Sequence, residues 1–221
     1  MNIYAHRGNS GFFPENTMYA FKKSLDLDIC GIELDVQKTK DGILVVHHDE
    51  TLGRVFDGKG YIKKLTFDQL VDSNLNNDEL ISRDDCKIPT LEEVLELIKP
   101  TNLTINIEIK NNKVRYKGIE EDIINLVKKH NIEERVLISS FNYRSLKKVL
   151  KRCKECNCAY IHPSYDVVNK ELVTEAHKKG ISVQVYTVNS ITIMKKLIKL
   201  KVDGVFTNYP KIINTIVNEN L

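Results

Sequence analysis

The stretch Ile32-Glu33-Leu34-Asp35-Val36 alternates apolar and acidic side chains with a period of two. That period belongs to a β-strand, and it places Glu33 and Asp35 together on one face. Residues 104–109 repeat the pattern, with Ile105, Ile107 and Ile109 set against Asn106, Glu108 and Lys110. Working outward from these two segments, short apolar runs alternate with helical periodicity over most of the chain. Upstream, residues 3–6 read as a strand and 15–27 as a helix; 44–47 reads as a third strand. Thr90-Leu91-Glu92-Glu93 is a capping-box pattern opening a helix to about residue 99. Downstream, strands are expected at 136–139, 158–161, 182–187 and 204–207. Helices follow them at 143–152, 170–179, 191–200 and after Pro210, and another precedes them at 119–130.

Eight strands, each leading into a helix or a helix-bearing segment, predict an α/β fold: a (β/α)8 TIM barrel with a small insertion after the third strand. The insertion is placed at 51–87, where the rhythm breaks into Gly53, Gly58, Gly60 and Asn/Asp clusters. A single barrel domain over 1–221 is expected. The alternative is an open doubly wound sheet, weakened by the lack of a glycine-rich phosphate loop.

The composition narrows the function. A net charge of +3, with no dense Lys/Arg run interleaved with aromatics, gives no footprint for nucleic acid. No basic start followed by an apolar stretch suggests a signal peptide, and no window reads as a membrane span, so cytoplasmic location without stable membrane insertion is expected. Five cysteines, with no export signal, favour reduced thiols. Cys153, Cys156 and Cys158 lack a second ligand pair at zinc-finger spacing. Nothing in the sequence fixes the oligomeric state.

Barrel enzymes keep their chemistry at the C-terminal ends of the strands. Those ends carry His6-Arg7, Glu33 with Asp35, His48-Asp49, and Glu108-Ile109-Lys110. Three carboxylates in one barrel mouth repel one another strongly at low dielectric. A hard divalent cation, Mg2+ or Ca2+, offsets that repulsion economically; a purely structural network with Arg7 and Lys110 is the alternative. His6 and His48 flank the carboxylates from different strands, and two imidazoles suit paired proton transfers near neutral pH. Strand alternation sends His47 to the other face. His130 and His177 read as solvated helix positions, and His162 has no assigned role.

These motifs together resemble one family. His6-Arg7-Gly8, Pro14-Glu15-Asn16-Thr17, Glu33-Leu34-Asp35-Val36 and His48-Asp49-Glu50-Thr51-Leu52-x-Arg54 are similar to the opening of the glycerophosphodiester phosphodiesterases. Glu108-Ile109-Lys110, Ser140-Phe141, Tyr186-Thr187-Val188-Asn189 and Asp203-Gly204-Val205-Phe206-Thr207-Asn208-x-Pro210 follow in family order. The resemblance implies one divalent cation on Glu33, Asp35 and Glu108, with His6 and His48 as the acid-base pair. It implies Arg7 and Lys110 as phosphate contacts, Phe141 and Tyr186 as pocket walls, and Glu15 and Asn16 as supporting contacts behind them. The implied reaction hydrolyses a small glycerophosphodiester to an alcohol and glycerol 3-phosphate, by attack of the neighbouring glycerol hydroxyl on phosphorus and hydrolysis of the resulting cyclic phosphate. Many relatives carry Trp where this chain has Tyr186, which bears on head-group preference.

Two other functions compete. A barrel lipase acting on intact phospholipids would want an apolar rim, and the 51–87 segment is polar. A binding protein that had lost its chemistry would lack one of the two histidines or three carboxylates, and all five are present.

Overall fold

The structure is a computed structural model, and it describes residues 1–153 and 160–219. Its strands in chain order are β1 (Asn2–His6), β2 (Gly31–Lys38), β3 (Leu44–Val46), β4 (Thr104–Ile109), β5 (Val136–Ser139), β6 (Tyr160–Ile161), β7 (Ser182–Val185) and β8 (Gly204–Thr207). The helices are α1 (Met18–Leu25), α2 (Phe67–Val71), α3 (Leu91–Ile98), α4 (Ile119–His130), α5 (Tyr143–Arg152), α6 (Lys170–Lys178), α7 (Ile191–Leu200) and α8 (Pro210–Asn218). Parallel strands run in the order β5-β4-β2-β1-β8-β7-β6 and form the wall of a TIM-barrel-like fold.

The third strand corrects the expected count of parallel units. β3 lies antiparallel on the end of β2, with Val36 opposite Val46 and Lys38 opposite Leu44, and β4 takes the place beside β2. The reason is the length of the connection. Only 39–43 separate β2 from β3, whereas a parallel crossover needs a dozen or more residues. Gly42, at φ +93°, makes the reversal.

Alternation on β2 divides its side chains as the sequence predicts. Ile32, Leu34 and Val36 enter the main apolar core with Ile105, Ile107 and Ile109 of β4 and Leu91, Val94 and Leu95 of α3. A second cluster joins Val183, Val185 and Val205 to Met194 and Leu197 of α7. The other face of the strands turns toward the barrel axis, where Tyr4, Leu137 and Phe206 pack together. Thr66 and Thr90 each close a capping box at the start of α2 and α3; such a cap contributes about 1 kcal/mol.

Segment 51–87 gathers Leu52, Phe56, Ile62, Leu70 and Cys86 around Val45 of β3, so β3 is the post on which it is mounted. Two smaller expectations change. His130 is buried, not solvated, because it falls on the inward side of α4 with Val127 and Ile123. Cys153 is disulfide-bonded, where reduced thiols were expected; composition and export signals bear on the compartment, not on the separation of particular sulfurs. Cys156 and Cys158, and most of the expected strand at 158–161, lie outside the described residues. No helix among the described residues is long and apolar enough to cross a membrane.

Candidate active site

β1 delivers His6 to the mouth and then turns sharply. Arg7 sits in the left-handed region at φ 57°, a conformation that costs a non-glycine residue energy and is held by its surroundings. The turn aims the Arg7 amide at Glu33, donating to Oε2 at 3.0 Å. Gly8 follows at φ +79°, and a Cβ there would meet the backbone of Ala20 at 2.8 Å. Glycine therefore lets α1 close against the end of β1. Asn16, also left-handed at φ 56°, donates its side-chain amide to Asp35 Oδ2 at 2.9 Å.

The three carboxylates do meet. Glu33, Asp35 and Glu108 each offer an oxygen, and these oxygens all lie within 4.8 Å of one another. Glu33 and Asp35 are almost fully buried. Burial, then the neighbouring charges of Asp35 and Glu108, pushes the Glu33 carboxyl well above the usual carboxylate range. Glu108 is raised by burial and by Asp35. Burial also works against the Asp35 carboxylate, but Arg7 and Lys110 outweigh it and hold it at about 2. Arg7 Nε stands 3.2 Å from Asp35 Oδ2; Lys110 Nζ stands 3.4 Å from Asp35 Oδ1 and 2.9 Å from Glu108 Oε1. Two cations thus serve Asp35, while Glu33 keeps an unfavourable surplus of negative neighbours. An all-oxygen donor set with that surplus fits a hard divalent cation.

Both histidines face this cluster. His6 Nδ1 is 2.7 Å from Asn208 Oδ1, and its Nε2 is 3.8 Å from Glu33 Oε2. Burial and then the Arg7 charge lower the His6 imidazolium to about 4. His48 Nδ1 is 2.8 Å from Asp49 Oδ1. The backbone that carries His48 hangs from β2: Gln37 Nε2 donates to the carbonyls of His47, His48 and Asp49 at 2.9, 3.3 and 2.5 Å.

A family model described as the glycerophosphoryl diester phosphodiesterase family matches residues 6–155 and 147–212. The chain belongs to that family. Membership makes it an enzyme of the phosphodiester hydrolase type. It is 40% identical to a glycerophosphodiester phosphodiesterase of Caldanaerobacter subterraneus, over 98% of each chain. Among solved structures, a phosphodiesterase of Oleispira antarctica in complex with the product sn-glycerol-3-phosphate is 27% identical, with a TM-score of 0.84 over 99% of this chain and 97% of that one. A glycerophosphoryl diester phosphodiesterase structure from Silicibacter pomeroyi shares the fold at a TM-score of 0.88 and 20% identity, over 100% of this chain and 94% of that one.

In this phosphodiesterase the site opens into a cavity of about 440 Å³, within the ordinary range for small ligands. His6, Arg7, Glu33, His48, Glu108 and Lys110 line it, and so do Phe141 and Tyr186, edge to face with centroids 6.0 Å apart. Asp35 lies behind Arg7 and Lys110 and does not line the cavity. Glu15 also stands behind Arg7, accepting from its Nη1 at 2.9 Å.

Four residues gain a place that the sequence reading did not assign. Arg54, from the 51–87 segment, donates to Glu15 through Nη1 and Nη2 at 2.9 and 2.6 Å and to Asp49 through Nε at 2.5 Å. A continuous line of ion pairs and hydrogen bonds therefore runs Asp35–Arg7–Glu15–Arg54–Asp49–His48. Asn208 orients His6, and Gln37 anchors the His48 backbone. Gln37 was discoverable, since it continues the Glu33, Asp35 alternation by one more step. Asp49, Arg54 and Asn208 stand in the quoted motifs, but their partners are set by tertiary contacts.

Proposed function

We propose that the chain hydrolyses glycerophosphodiesters to an alcohol and glycerol 3-phosphate, with one divalent cation, Mg2+ or Ca2+, held by Glu33, Asp35 and Glu108. The observation that carries this reading is the gathering of those three carboxylates beside a cavity that His6 and His48 line together. A cation bound there supplies positive charge against the phosphoryl oxygens as they become more negative.

The chain's own residues do the rest. Arg7 and Lys110 reach the cavity while tied to Asp35, so they present fixed positive charge to the phosphate without reorganising. His6, neutral near pH 7, accepts the proton of the glycerol hydroxyl adjacent to the phosphoester. That oxygen forms a bond to phosphorus as the bond to the head alcohol breaks. His48, its ring held by Asp49, hands a proton to the departing alkoxide. Water then opens the cyclic phosphate with the two roles exchanged. Glu15 and Asn16 act through Arg7 and Asp35, by the bonds described above. Phe141 and Tyr186 wall the space beside the reacting group. The whole of 1–221 reads as one barrel domain, and 51–87 as an insertion whose contribution to the site is Arg54.

The test is a panel of glycerophosphodiesters with different head alcohols, assayed for glycerol 3-phosphate with and without chelator. Release that stops with chelator and returns with Mg2+ or Ca2+ supports the reading. Release that ignores the chelator removes the metal from it.

A further inference from the structure

The ring of His6 is held by a residue on which three loops converge. Asn208, one residue past β8, has its Oδ1 2.7 Å from His6 Nδ1. An amide oxygen accepts and cannot donate, so in the neutral ring the proton belongs on Nδ1. Nε2 then keeps its lone pair, 3.8 Å from Glu33 Oε2. The proton transfer proposed above needs that lone pair, because Nδ1 is already taken. A free imidazole can carry its proton on either nitrogen, so something has to hold Asn208 still.

No strand does so, and two neighbours take its place. Asn189, in the loop after β7, accepts from the Asn208 amide at 2.9 Å and from the Thr207 hydroxyl at 3.3 Å. From the loop after β1, the Gly11 amide donates to the Asn208 carbonyl at 2.8 Å. That approach depends on the missing side chain. A Cβ on Gly11 would stand 2.3 Å from the Tyr209 ring and 2.7 Å from the Asn208 carbonyl oxygen. The Gly11 φ lies outside the left-handed region, so a side chain is refused by contact and not by backbone strain. The same loop also grips His6 directly, through the Ser10 hydroxyl, which donates to the His6 carbonyl at 2.7 Å. Phe12, next in the loop, packs edge to face on Tyr209 at 5.5 Å.

We infer that Gly11 and Asn189 are positioning residues for His6: together they hold Asn208 where its amide keeps the ring proton on Nδ1. The inference rests on the role proposed for His6 and adds what sets its tautomer. Gly11, Asn189 and Asn208 all stand outside the cavity wall. Their effect on the reaction therefore passes through the His6 ring, and the two supports act through Asn208.

The experiment compares Gly11→Ala, Asn189→Ala, Asn208→Ala and the double variant Gly11→Ala/Asn208→Ala. Glycerol 3-phosphate release from glycerophosphocholine gives kcat and KM, and circular dichroism melts identify the folded variants. Asn189 is exposed, so its variant leaves the packing intact. Nitrogen-15 spectra near neutral pH read the ring tautomer, with the His6 signals identified by their loss in His6→Gln. The unaltered protein should show one tautomer, protonated on Nδ1. Asn208→Ala should lower kcat about 10- to 100-fold and each support variant about 10-fold, with KM little changed. All three should mix the tautomers. The double variant should be within about twofold of Asn208→Ala alone, as for residues that act through one another. Losses that multiply in the double variant, a single unchanged tautomer in the folded support variants, or an unaltered ring protonated on Nε2 overturn the inference. No release by the unaltered protein fells the hydrolytic reading, while the spectra still decide whether Gly11 and Asn189 set the ring.

Discussion

The two sides of the barrel mouth are built on opposite plans. On the side of β1, β2 and β4, polar groups hold one another: Arg7, Lys110 and Asn16 hold Asp35, Glu15 holds Arg7, Arg54 holds Glu15, and Asp49 holds the His48 ring, while Glu33 keeps its surplus of negative neighbours. On the side of β5 and α5, the large apolar side chains Phe141, Tyr143 and Leu150 stand more than half exposed. Charges pinned in place do not have to reorient as the reaction proceeds, which is what stabilisation of a developing charge demands. Apolar contact is non-directional and tolerates variety. In the proposed reaction the first side would therefore fix which bond is broken, and the second would bear on which molecule presents it.

Substitutions on the two sides should therefore behave differently. The largest effect is expected from His6→Ala or His48→Ala, each lowering kcat by about 10²- to 10⁴-fold, the usual worth of a general acid or base. Steady-state kinetics with a short-chain diester checks this, and a loss below tenfold would remove the residue from proton transfer. Arg54→Ala comes next, because it cuts the line between Glu15 and Asp49 without touching substrate. A drop of about 10- to 100-fold in kcat is expected, with KM little changed and partial recovery in Arg54→Lys, as for other groups that orient catalytic ligands. An effect confined to thermal stability would make Arg54 a strut of the insertion only.

The smallest effect lies on the apolar side. His162 lines the cavity and packs edge to face on Phe206 at 4.9 Å. Burial lowers its imidazolium to about 4, so the folded state binds this proton less readily than the unfolded state. Its contribution to stability is full above about pH 6.5 and is lost as pH falls through 4. After allowance for partial exposure, that contribution is on the order of 1–2 kcal/mol. His162→Gln should flatten the fall of Tm between pH 7 and pH 4, followed by circular dichroism; an unchanged slope would assign the acid sensitivity to other groups.

How much of this was legible in the sequence differs between the two sides. On the charged side the pairing of Glu33 with Asp35 is legible in the sequence, because strand alternation is local and the two must share a face wherever β2 lies; Glu15 and Asn16 come only with the family resemblance. The direction of β3 was not read, since Leu-Val-Val looks the same pointing either way. The information sat in the five-residue connection and its Asp41-Gly42 pair, a hairpin signal. Arg54 was quoted within a motif, but its bond to Glu15 spans 39 residues and is fixed only when 51–87 folds back on the barrel. The apolar side was hidden for a different reason. Tyr143, Leu146 and Leu150 read as ordinary apolar positions of a helix. Periodicity says that they share a face, not whether that face meets core or cavity.

One feature of β2 has a consequence for how this protein tolerates change. Glu33, Asp35 and Gln37 are successive teeth of a single comb, and between them they carry two of the proposed cation ligands, the anchor for Arg7 and the hook for the His48 backbone. Deleting one residue early in Gly31–Lys38 would slide the comb by a tooth, burying carboxylates against the helices and offering Leu34 and Val36 to the substrate. The proposed cation site, phosphate clamp and proton relay would vanish in the same event. Insertions and deletions in a lineage of this enzyme should therefore collect at the Gly42 tip, where an added Cβ meets nothing within 4 Å, and leave the comb uninterrupted.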